Sequence, residues 1–159
     1  MSSELTALRL GFEAGLYSRD HVGAWVDREV AARDQLPSEL LELATMAHKR
    51  DEEVVALLRS LECEVPEAEL ARLKVAVIAE LYRRGKLDLA GTVYALEGVL
   101  TWTPSVAEED RSVIHDIVLH NDAAEFSGYG SVDDVRTKIR EFLARRHWNG
   151  LEKVDGVFV

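Results

Sequence analysis

The segment Ile114-His115-Asp116-Ile117-Val118-Leu119-His120 holds the groups best placed to bind a metal or move a proton. Asp116 and His120 stand four residues apart, which brings a carboxylate and an imidazole onto one helix face, where both can ligate a single ion. His115 and His120 are five apart and turn toward different faces. The alternative is a solvated helix face beside an apolar stripe. Cys63, between Glu62 and Glu64, is poorly placed to be a nucleophilic thiolate. The chain contains no G-x-S-x-G elbow, P-loop or G-x-G-x-x-G fingerprint. Gly128-Tyr129-Gly130 follows no expected strand and precedes no lysine, so it reads as a turn and not a phosphate cradle.

Charge is the other candidate. The 29 acidic and 19 basic residues leave a net charge of −10, concentrated in the N-terminal half. Asp51, Glu52, Glu53, Glu62, Glu64, Glu67 and Glu69 form the densest acidic group. They lack the D-x-D-x-D-G spacing of a calcium loop. Glu52, Glu53, Glu62, Glu64, Glu67 and Glu69 are the expected partner-binding residues, with a solvated surface as the alternative. A chain of this sign repels phosphate backbones and anionic lipids and attracts a basic protein. Arg136, Lys138, Arg140, Arg145 and Arg146 give the last expected helix a basic face followed by His147-Trp148, but Asp133, Asp134 and Glu141 dilute it. Nucleic acid is therefore a disfavoured partner.

Helical periodicity must position all of these groups. Leu5, Leu8, Phe12 and Leu16 predict a helix over about 4–15, with Gly15 as its left-handed cap. Ser18 reads as the N-cap of a second helix with the stripe Val22, Trp25, Val26 and Val30. Pro37 opens a third through Leu40, Leu43, Ala44 and Ala47. Asp51, Glu52 and Glu53 fill the first turn of a fourth, where negative charge complements the helix dipole. Pro66 starts a fifth in which only Glu80 is charged between Val75 and Tyr82, and apolar residues on two faces predict an enclosed helix. Asp88 begins a sixth, and Thr103-Pro104-Ser105 separates it from a seventh. After an expected loop over 121–131, Ser131 and Asp134 form a capping-box pattern for an eighth helix with the stripe Val135, Ile139, Phe142 and Leu143.

The expected fold is all-α, with about eight helices in one domain over 1–147 and an extended tail, 148–159, docking on the body. An offset of 70 aligns Leu8, Phe12, Gly15, Val26, Asp27 and Val30 with Ile78, Tyr82, Gly85, Leu96, Glu97 and Leu100. Either the chain is an internal duplication of four-helix halves, 1–70 and 71–147, or two capped amphipathic hairpins coincide. No apolar run approaches the roughly 20 residues needed to span a bilayer. Met1-Ser2-Ser3-Glu4 lacks the features of a signal peptide, and the single cysteine forms no internal disulfide. A cytoplasmic location is expected.

The run Gly15-Leu16-Tyr17-Ser18-Arg19-Asp20-His21-Val22-Gly23-Ala24-Trp25-Val26-Asp27 resembles a phrase of small helical bacterial proteins, some of which resemble immunity proteins of toxin systems. A glycine, a hydrophobic residue and a capping serine precede an amphipathic helix bearing Trp, an apolar residue and Asp. The resemblance covers residues 15–27 and implies a stoichiometric inhibitor held in the cytosol; it carries no binding residue across. His115-Asp116 resembles the dyad of the HD-type metal phosphohydrolases, an α-helical family. Its further His and Asp would have only His48 and Asp133 as stand-ins here. The expected function is a non-enzymatic protein-binding module without cofactor, in its sharpest form an acidic immunity-type inhibitor of a basic protein. The alternatives are a metal-dependent phosphohydrolase using His115, Asp116 and His120, and a regulatory or scaffold homodimer. No membrane partner is expected.

Overall fold

A computed structural model describes residues 2–127 and 130–146; the expected tail over 148–159 lies outside the described residues. The fold is all-α, with no strand among these residues. In order come α1 (Ser2–Glu13), α2 (Arg19–Ala31), α3 (Ser38–Ala44), α4 (Asp51–Leu61), α5 (Glu67–Arg83), α6 (Leu89–Trp102), α7 (Glu108–Asp122) and α8 (Val132–Ala144). A 3-10 turn, Met46–His48, follows α3, and a π turn, Ala123–Ser127, continues α7. No described helix is long and apolar enough to cross a membrane.

Contacts group the described residues into two compact units, one ending at Val65 and the other beginning at Pro66. In the first, each helix packs on the next and α4 returns to α1. Most of the stripe residues read from the sequence face inward: Leu5 and Leu8, Val22, Trp25 and Val26, Leu40 and Leu43, Val54 and Leu58 are buried and Phe12, Val30 and Leu61 half-buried, whereas Ala44 and Ala47 are exposed where α3 ends. The buried ring of Tyr17 lies so close to Gly11 that a methyl group at Gly11 would overlap it.

In the second unit α5 packs on α6 and α8, and α7 on α6 and α8. Ala71, Val75 and Ile78 share a core with Val93, Leu96, Ile114, Ile117, Val135, Ile139 and Phe142. Val75, Ala76, Val77 and Ile78 are buried consecutively, so this turn of α5 is enclosed on all sides, whereas Arg72 a turn earlier is exposed. The one charge between Val75 and Tyr82, Glu80, is buried and accepts hydrogen bonds from Arg83 Nε at 2.8 Å and Arg84 Nε at 2.6 Å.

The α1–α2 and α5–α6 turns are built alike. Gly15 and Gly85 adopt φ of 72° and 67°, a conformation that costs glycine little. Leu16 N–H bonds to Gly11 C=O at 2.7 Å, and Lys86 N–H to Leu81 C=O at 2.8 Å. Gly15 and Gly85 donate to Phe12 and Tyr82 C=O at 3.1 and 3.0 Å, completing a Schellman cap in each case. Ser18 and Asp88 then stand at the next N-caps, and Asp88 accepts from Gly91 N–H at 2.8 Å.

Two expected boundaries move. The third helix stops at Ala44, because the Thr45 hydroxyl donates to Glu42 C=O at 3.0 Å and occupies an acceptor near the helix end. The expected loop over 121–131 is helical through Asp122 and then π-helical to Ser127. Buried Asn121 and the helix-forming Ala123-Ala124-Glu125 carry the helix onward.

Candidate functional site

α7 brings Asp116 and His120 together, as their spacing requires, with His120 Nδ1 3.2 Å from Asp116 Oδ1. The same Nδ1 lies 2.8 Å from the Asp116 carbonyl oxygen, which can only accept, so Nδ1 carries the proton and is turned back on its own helix. The other carboxylate oxygen of Asp116 accepts a hydrogen bond from Lys138 on α8. That bond, aided by the charges of His120, Lys138 and His115, holds the Asp116 carboxyl below its ordinary range. Both Asp116 oxygens thus have cationic or N–H neighbours where a metal would have to bind. His115 is exposed on another face of α7. His48 lies in the 3-10 turn of the first unit, and Asp133 is ion-paired with Arg136 at 2.5 Å. Among the described residues no three His, Cys, Asp or Glu are arranged to hold a metal ion.

Beside Asp116, a shallow groove of about 230 Å³ runs between α7 and α8, lined by Glu109, Val113, Lys138, Glu141 and Arg145. Its lining carries charges of both signs. The basic face expected on α8 is largely neutralised within the unit. Arg136 pairs with Asp133, Lys138 with Asp116, and Arg146 with Asp110 while lying over the Phe142 ring at 4.8 Å.

The six carboxylates expected to bind a partner separate into different roles. Glu62 is the most enclosed, bonded to Arg9 at 2.7 Å. Glu53 accepts from the Arg50 backbone N–H at 2.7 Å at the start of α4, and that bond is the main cause that lowers its carboxyl pKa. Glu67 and Glu69 open α5 in the second unit, where Glu67 accepts from the Ser105 hydroxyl and Glu69 pairs with Arg72 at 2.8 Å. Glu52 and Glu64 are exposed and, among the described residues, have no ion-pair partner.

The charge balance of the first unit is more informative than that cluster. Within residues 2–65 each of the seven lysine and arginine side chains is held by a carboxylate: Arg9 by Glu62 and Glu13, Arg19 by Asp51, Arg28 by Glu4, Arg33 by Glu29, Lys49 by Glu42, Arg50 by Glu53 and Arg59 by Glu13. Asp20, Asp27, Asp34, Glu39, Glu52 and Glu64 are left without an ion-pair partner among the described residues. Asp20 and Asp27 are exposed on one line of α2, and Asp34 follows its end at the same seven-residue step. The seven-residue spacing of these aspartates is a local signal present in the sequence.

A cleft of about 320 Å³ in the same unit is lined by Leu5, Trp25, Pro37, Leu40 and Leu61, with Arg33, Glu39, Ser60 and Cys63 around it. Arg33 is engaged by Glu29 at 2.7 Å, and Ser60 donates to Leu57 C=O at 2.8 Å, so no acid–base pair converges here. The Cys63 thiol is exposed. Of the residues carrying the immunity-type resemblance, Gly15 and Ser18 cap helices and Val22, Trp25 and Val26 fill the core, which leaves Asp20 and Asp27 as its outward acidic members. Comparison of the chain with family models, curated proteins and solved structures finds no match.

Proposed function

We propose that this chain is a non-catalytic protein-binding module whose first unit captures a basic partner, with stoichiometric inhibition of immunity type as its sharpest form. One observation carries the reading. Among its described residues, every lysine and arginine of the first unit is engaged in an internal ion pair, while six carboxylates have no ion-pair partner. Such a surface presents negative potential with little positive charge to offset it, and this speeds encounter with a cationic partner and helps exclude anionic ones. The acidic pair Asp20 and Asp27 supports the same reading, because α2 holds the two at fixed separation on one line. A phosphohydrolase would need His115, Asp116 and His120 to converge on a shared ion, and the Lys138 bond to Asp116 works against that arrangement.

The test begins with the partner captured from a lysate of the source organism. Its affinity and association rate are then measured for the native chain and for a variant carrying Asp20→Lys, Asp27→Lys and Glu52→Lys. Slower association and a weaker salt dependence in the variant are expected. A partner that binds the variant as fast and as tightly as the native chain would remove this surface from the reading.

A further inference from the structure

α6 has Glu97 as its single charge, and the other described residues leave one of its faces open, with Glu97 and Thr101 exposed beside the aromatic side chains of that face. On that face Tyr94 and Trp102 are each 79% exposed. Phe126 is as open, at 84%, but it stands alone at the end of the π turn, whereas Tyr94 and Trp102 share one helix ridge. On the corresponding ridge of α2, at the offset of 70, Asp20, Ala24, Arg28 and Ala32 stand in place of Ala90, Tyr94, Gly98 and Trp102, so that ridge carries charge and no large ring. The openness of α6 is therefore not a general property of helices in this position.

The residues along this face identify the occupant. Ala90, Tyr94, Gly98 and Trp102 follow one another at four-residue steps and form one ridge of the helix, about 6 Å between neighbours. The ridge reads small, aromatic, small, aromatic, and it carries no charge. A Cβ added at Gly98 would meet nothing within 4 Å, so an open notch lies between the two rings. When the ridge is laid antiparallel against itself about a point midway between Tyr94 and Gly98, each large residue meets a small one. Tyr94 falls on the other copy's Gly98, and Trp102 on the other copy's Ala90. A twofold axis requires this self-matching of a surface, and alternation of large and small residues lets two such faces interdigitate.

We propose that a second copy of this chain covers α6, as an antiparallel helix pair centred between Tyr94 and Gly98. The basic partner inferred for the first unit has no carboxylate row to recognise here, so the two surfaces are separate. Each ring has roughly 150–200 Å² to bury. Two rings per copy approach half of the roughly 800 Å² per partner of a stable interface, so the dimer is reversible and of modest affinity. Because both copies are acidic, salt tightens this association by screening their repulsion, whereas salt weakens capture of a basic partner.

Sedimentation of the full chain from about 1 µM to about 1 mM tests the pairing. The expected result is a monomer–dimer equilibrium that shifts toward dimer as salt is raised. Gly98→Leu fills the notch and Trp102→Ser removes a ring, and each raises the dissociation constant by about tenfold or more. Both positions are open in the monomer, so circular dichroism and thermal unfolding at low concentration verify that the variants fold. In a Cys63→Ser background, mixing the Tyr94→Cys and Gly98→Cys chains under mild oxidation favours the mixed disulfide over either self-disulfide. A chain that stays monomeric throughout overturns the proposal, as does a dimer that both variants leave unchanged. Preferential self-disulfides of Gly98→Cys overturn the antiparallel register.

Discussion

Arg9 Nε donates to Glu62 Oε1 at 2.7 Å, tying α1 to the residue that follows α4, with the two side chains only 9% and 13% exposed. Burial pulls the guanidinium pKa down, but the hydrogen bond to Glu62 and the charges of Glu13 and Glu62 outweigh it and leave Arg9 more firmly protonated than usual. Glu62→Ala removes the better partner of an enclosed cation and is expected to cost about 2–4 kcal/mol in urea unfolding. Glu64→Ala, two residues along and exposed, should change stability by less than about 0.5 kcal/mol. Equal effects would mean that the Arg9–Glu62 bond contributes nothing beyond surface charge.

Glu80 links pH to stability. Hydrogen bonds from Arg83 and Arg84 lower its carboxyl pKa to about 2 against the opposing effect of burial. A carboxyl depressed in the folded state binds its proton more readily once unfolded, so its stabilisation is complete above the ordinary value of 4.5 and is lost as pH falls from there toward 2. The contribution at neutral pH is on the order of 2 kcal/mol once solvent screening at the exposed Arg83 is allowed for. Chemical denaturation of the native chain and Glu80→Gln at several pH values should give curves that converge as the solution is acidified. A constant gap down to pH about 3 would place the Glu80 effect in packing instead.

Two helical glycines should respond oppositely to the same change. Gly11→Ala pushes a methyl group into the Tyr17 ring and is expected to destabilise by about 1–3 kcal/mol. Gly98→Ala meets open space and should stabilise the monomer by about 0.5–1 kcal/mol through helix propensity alone. Thermal unfolding at low protein concentration reads both, and a loss of stability at Gly98 would contradict the open notch on α6.

With Asp116 engaged by Lys138 and His120 Nδ1 bonded to its own helix, zinc or manganese added in excess is expected to shift the Tm by less than about 1 °C. A larger rise that disappears in His120→Ala would make the hydrolase reading the better one.

Much of the fold was readable from the chain because helix signals are local. Gly15 and Gly85, Ser18 and Asp88, and Pro37 and Pro66 each act through backbone geometry within a turn or two, and the structure places helix ends at all six. The inward stripes follow equally from a 3.6-residue period. The expected loop over 121–131 failed because a glycine-rich stretch cannot say how far upstream the helix persists once Asn121 is buried.

The candidate sites were legible only as lists of residues. Spacing put Asp116 and His120 on one face, but Lys138 arrives from α8, and no local rule predicts that bond. Glu62 and Glu64 look equivalent in the sequence, yet one is enclosed against Arg9, 53 residues away, and the other is free in solvent. The sequence by itself determined an all-helical chain, its helix ends and its excess of negative charge, because capping, periodicity and composition act over short distances or none. Tertiary structure decided which charges cancel and which apolar face of α6 stays uncovered, because ion pairing and burial depend on residues that only packing brings together.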